Sequence, residues 1–140
     1  MTSEQGYGED HESGRGYGLH HVLLAIPAGS EDALRAFYVG VLGMAEVAKP
    51  PELAARGGLW VRADWLELHL GVEAGFRPAR KAHPGIRVVD LDGLAAHLGD
   101  AGVAVDWDRT LFPGHRRCYV ADPVGNRLEF IQRDADVPTW

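Results

Sequence analysis

Two rhythms of apolar residues run along the chain. Short stretches bounded by Gly and Pro alternate with a period of two or run apolar throughout: His21–Ile26, Met44–Ala48, Leu59–Ala63 and Trp65–Gly71. These predict strands. Between the first two, Leu34, Phe37, Tyr38 and Val41 recur at helical spacing. Ser30 stands at the N-cap, Glu31 and Asp32 lie in the first turn, and Gly43 follows the last apolar residue. The order then repeats. His83–Val88 reads as a strand, and a helix from Asp90 buries Leu91, Leu94, Ala95 and Leu98 before Gly99 or Gly102 ends it. Val103–Trp107, Arg116–Ala121 and Asn126–Gln132 follow as strands. The last two are joined by Asp122-Pro123-Val124-Gly125-Asn126, where Pro presets one corner of a turn and Gly supplies positive φ at the other. One helix per four strands makes this an α+β chain of two βαβββ modules.

The modules span residues 19–72 and 83–133, with a linker over 73–82. Residues 1–18 are polar and glycine-rich, with acidic Glu9, Asp10 and Glu12, and read as a flexible tail; His11 belongs to it. Residues 134–140 form a short C-terminal tail.

Composition narrows the classes. The 140 residues carry 46% hydrophobic content, enough for one core, and a net charge of −6, opposite to a nucleic-acid binder. No apolar run has the roughly 20 residues of a membrane span, and no signal-peptide core is present, so a cytoplasmic location is expected. Cys118 is the single cysteine and lies in a strand, as a small buried hydrophobe would.

The chemistry follows from the repeat. An interval of 62 residues separates His21 from His83 and also Glu67 from Glu129. Each Glu is set between large apolar residues, where a carboxylate is costly without a cation. Two imidazoles and two carboxylates suit a borderline divalent metal such as Zn, Ni, Mn, Co or Fe(II). Period-two alternation puts Trp65 and His69 on the face of Glu67, and Arg127 on the face of Glu129. His69 therefore stands as an alternative to Glu67 or as a substrate contact. His20 points away from His21, while His97 and His115 lie outside these faces.

His21-Val22-Leu23-Leu24, Ala36-Phe37-Tyr38, Leu42-Gly43-Met44 and the run Asp122-Pro123-Val124-Gly125-Asn126-Arg127-Leu128-Glu129-Phe130 resemble the vicinal oxygen chelate superfamily. That superfamily includes glyoxalase I, bleomycin-resistance proteins and extradiol dioxygenases. The resemblance implies that each module folds into a half-barrel and that paired half-barrels enclose a cavity. It implies one divalent metal per site, held by His21, Glu67, His83 and Glu129. Glu129 or Glu67 is the implied catalytic proton carrier, and Tyr119 falls where fosfomycin thiol transferases of this superfamily carry a tyrosine that contacts substrate. From the residues themselves, His69 by its strand face, Trp65 by stacking, and Arg87 and Arg127 by attracting an anion are the other candidates for substrate contact. The function implied is a metal-dependent enzyme acting on a small molecule through two of its oxygens, commonly as a homodimer. The alternative is a protein that sequesters an antibiotic without turnover, with Trp60, Trp65 or Trp107 stacked on it.

Overall fold

The turn from Asp122 to Asn126 shows how local chemistry sets the architecture. In the structure, a computed structural model that describes residues 13–109 and 112–135, the Asp122 carboxylate accepts the backbone N–H groups of Val124 and Asn126 at 3.0 and 2.9 Å. Gly125 takes a φ of +95°. The turn is thereby closed, and Tyr119 pairs opposite Glu129 in an antiparallel ladder. The expectations for the N-terminal tail, His11 included, and for the C-terminal tail lie largely outside the described residues.

In chain order the elements are β1 (Val22–Ile26), α1 (Glu31–Arg35) with a π-helical continuation (Ala36–Val41), β2 (Ala45–Val47), α2 (Pro51–Ala54), β3 (Leu59–Ala63) and β4 (Leu66–Val72). Then come β5 (Gly85–Arg87), α3 (Leu91–Asp100), β6 (Asp106–Asp108), β7 (His115–Ala121) and β8 (Arg127–Arg133). They form two four-stranded sheets of matching order, β1-β4-β3-β2 and β5-β8-β7-β6. The first strand of each pairs in parallel with the last, and the other pairs are antiparallel.

Alternation assigns the two faces of each sheet. Val22, Leu24, Ile26, Leu66, Leu68, Leu70, Leu59 and Val61 pack on the helix side with Leu34, Phe37 and Tyr38. In the second sheet Ile86, Leu128, Phe130, Cys118 and Val120 do the same with Leu91 and Leu98, and both sets belong to one continuous core. The opposite faces carry His69, Glu67, Trp60 and Arg62 in one sheet and Glu129, Tyr119 and Arg117 in the other.

Three departures from the sequence pattern have local causes. Past Arg35 the first helix widens, with Leu42 N–H donating to the Phe37 carbonyl at 2.9 Å, five residues back. The strand expected over Val103–Trp107 begins only at Asp106, because Val103 N–H is spent on the Leu98 carbonyl at 2.9 Å, closing α3 around Gly102 at φ +81°. The loop after β2 contains the short α2, with Pro51 at its first position.

Polar bonds join the modules. Buried Tyr38 donates its hydroxyl to Asp122 at 2.8 Å, and Asn126 donates its amide to the Ala25 carbonyl at 2.8 Å. The His97 ring bonds the Val41 carbonyl at 2.8 Å.

Candidate functional site

Each sheet brings its candidate residues together on the face away from the helices. In the first, His69 on β4 is buried, with its ring between those of Trp60 and His21, each 3.9 Å away and near-parallel. Its Nε2 bonds Glu67 at 2.7 Å, and Arg62 donates to the other oxygen of Glu67 at 2.9 Å. The bond from His69, then that from Arg62, holds the Glu67 carboxyl below its ordinary range. His21, one residue before β1, shares its Nδ1 in a 2.9 Å bond with His20.

In the second sheet Glu129 is 6% exposed and bridges two partners. His83 Nε2 lies 2.9 Å from Oε1, and Arg117 donates to Oε2 at 3.3 Å. Arg117 also donates to Asp108 at 2.9 Å. Tyr119 stands edge-on to His83 at 5.3 Å, and Arg127 covers the Tyr119 ring at 3.9 Å.

The other expected residues fall elsewhere. Trp65 precedes β4 in the tight turn after Asp64 (φ +52°), is 98% exposed and lines neither of the two main cavities. It shares the alternation of Glu67, yet the turn carries it past the end of the sheet. Arg87 is exposed on β5 and also lines neither. Arg127 does line one, a cavity of about 480 Å³ shared with His83, Leu23 and Phe76. The other, about 530 Å³, is lined by His21, Trp60, His69, Leu53, Lys49 and Arg56, of which the last three carry no sequence signal, and by His20, which lies beside His21 and not away from it.

Strand register gives a different correspondence from the 62-residue interval. Leu23, His69 and Trp60 lie in one cross-strand row, and Gly85, Glu129 and Tyr119 lie in the matching row of the other sheet. If His21 matches His83, then the counterpart of Glu129 is His69, 60 residues earlier, and the counterpart of Glu67 is Arg127. Burial agrees, since His69 and Glu129 are both 6% exposed.

Among the described residues no three His, Cys, Asp or Glu side chains of one chain lie close enough to hold a metal ion. The donors are divided into halves, one in each module. The half at His83 fits a metal in its donor chemistry. Its Nδ1 lies 2.6 Å from the Lys81 carbonyl, which can only accept, so Nδ1 carries the hydrogen. A neutral ring then presents a lone pair from Nε2 toward the Glu129 oxygen, and two acceptors in contact require a cation or a proton to join them. A histidine ligand oriented by a backbone carbonyl is the usual arrangement at metal centres.

Residues 18–130 match the family model described as the Glyoxalase/Bleomycin resistance protein/Dioxygenase superfamily. The chain belongs to this superfamily. Its α+β fold of two matching modules is the fold of that group. A structure from Bacillus anthracis described as of the glyoxalase family is 43% identical, with a TM-score of 0.82, covering 86% of this chain and 99% of that one. TnmS3, an antibiotic binding protein from Streptomyces sp. CB03234, is 27% identical, with a TM-score of 0.65, covering 85% of this chain and 100% of that one. The fosfomycin resistance protein FosX from Listeria monocytogenes, 16% identical, shares the fold with a TM-score of 0.66, over 81% of this chain and 89% of that one. Comparison with curated proteins gives no match.

Proposed function

We propose that this superfamily member is a small-molecule enzyme of the glyoxalase or dioxygenase type, working with one divalent metal per site. The observation that supports it most directly is the His83–Glu129 pair, with Nδ1 fixed on a carbonyl and Nε2 facing a carboxylate. His83 and Glu129 would hold the metal from one module, and His21 with Glu67 or His69 from another. Bound there, the ion supplies Lewis acidity toward two oxygens of the substrate.

The protein's own groups do the rest. Glu129, buried beside His83 and anchored by Arg117, is placed to take and return a proton, and Glu67 with Arg62 is its alternative. Arg117, tied to Asp108, keeps the Glu129 carboxylate oriented. Tyr119 and Arg127 flank this half as substrate contacts. Because one chain divides the donors, the site is completed across a homodimer, each site taking one half from each subunit.

A second reading, sequestration without turnover, draws on the likeness to TnmS3 and on Arg117, which already occupies the Glu129 oxygen that His83 leaves. Metal analysis separates the two. About one equivalent of Zn, Ni, Mn or Fe(II) should bind and raise the melting temperature, with the shift lost on chelation, in His83→Ala and in Glu129→Ala but kept in His97→Ala. Protein that takes up none of the four ions favours sequestration.

A further inference from the structure

The loop between β2 and β3 builds a wall that neither the metal nor the proton carriers require. Glu31, at the start of α1, accepts the Gly58 N–H at 2.8 Å. Lys49 donates its ammonium to the Gly57 carbonyl. Gly58, at φ +81°, lies so close to the Leu70 carbonyl that no Cβ would fit, so the loop is seated directly on β4. Lys49, Leu53, Arg56 and Gly57 are thereby held as one side of the cavity of about 530 Å³ whose other side is His21, Trp60, His69 and Leu70. That volume is within the range of small-molecule sites, about 300–1,000 Å³.

The charge of this cavity runs against that of the chain. The sequence has 20 acidic and 14 basic residues, yet the lining holds no Asp or Glu and two cations. Arg35, Arg62, Arg116 and Arg117 all meet carboxylates. Arg56, by contrast, makes no side-chain hydrogen bond or ion pair among the described residues, and the hydrogen-bond partner of Lys49 is a carbonyl rather than a carboxylate. Two such cations at one wall attract an anion. Leu53, Val72 and Leu23, the last 58% exposed, supply an apolar surface beside them.

We infer that this cavity takes an organic acid: a carboxylate or phosphonate on Lys49 and Arg56, with its apolar body on Leu23, Leu53 and Val72. The inference rests on the proposed function for what happens next to the molecule, but not for its capture. Charge-assisted bonds from two cations should favour the acid over its neutral amide by about tenfold or more.

Calorimetric titration of the full chain, in chelator so that no metal contributes, tests it with four probes: phenylacetate, phenylphosphonate, phenylacetamide and acetate. The expected result is binding of phenylacetate or phenylphosphonate at least about tenfold tighter than phenylacetamide, with acetate weak for want of an apolar body. Arg56→Gln, an exposed change that leaves the fold intact, should erase most of that preference, and Lys49→Gln should reduce it. Glu129→Ala should keep it, so a failure of the metal reading leaves this result standing. The stronger of the two acids identifies the anion. Equal affinity for acid and amide, a preference that survives Arg56→Gln, or no binding of any probe at millimolar concentration would overturn the inference.

Discussion

Cys118 shows how burial changes a reactive side chain. It is fully buried, and removal from water, followed by the charges of Asp106 and Glu129, pushes its thiol from 9.0 up to about 11. A native thiol so placed is almost all protonated at pH 8 and out of reach, so a disulfide reagent should label it only after denaturation. The linkage sign follows. The folded state keeps the proton that the unfolded state loses, so this contribution to stability is full below pH 9.0 and disappears as pH rises through about 11. Unfolding midpoints from pH 8 to 11 should fall in the native chain and fall less in Cys118→Ala. The burial of Cys118 was legible in the sequence from its place in an apolar strand. The pairing of His69 with Glu129 was not. An interval between like residues, Glu67 and Glu129, is more visible in a sequence than a match between unlike ones, and only the β1–β4 and β5–β8 registers expose it.

At the scale of elements, the register of the β3–β4 hairpin follows from the position of its turn. Once Asp64 and Trp65 form the turn, Ala63 must pair with Leu66, Arg62 with Glu67 and Trp60 with His69. The Arg62–Glu67 pair and the Trp60–His69 stack follow from that counting. Lys49 and Arg56 did not follow from any periodicity, because an irregular loop is set by its tertiary anchors. Gly58 is the chief anchor, and a methyl there would strike the Leu70 carbonyl in addition to the strained φ. Gly58→Ala should lose about 3 kcal/mol or more in denaturant unfolding. Gly102→Ala, with a similar φ and nothing within 4 Å, should lose only about 1–2 kcal/mol.

At the scale of the whole molecule, the fold class and the sequence of elements along each module were readable from the pattern, while the parallel pairing of first and last strands and the relation between modules were not. That relation rests on single buried bonds far apart in sequence, such as Tyr38 to Asp122. Tyr38→Phe leaves a buried carboxylate oxygen without this donor and should cost about 1–3 kcal/mol, with one cooperative transition retained. The division of donors between modules gives a test of assembly. Heterodimers of His21→Ala and Glu129→Ala chains should recover metal binding at one of their two sites. Confirmed heterodimers with no recovery would count against shared sites.

The unequal rows of the two sheets have one more consequence. Leu23–His69–Trp60 and Gly85–Glu129–Tyr119 occupy equivalent places, yet one offers an imidazole between flat rings and the other a carboxylate bridging an imidazole and a guanidinium. A flat, mirror-symmetric molecule held between two such surfaces has two distinguishable sides. If Glu129 is the group that delivers a proton to its trigonal carbon, the proton arrives from that side alone, so turnover would yield a single enantiomer, a property that chiral chromatography of the product would reveal.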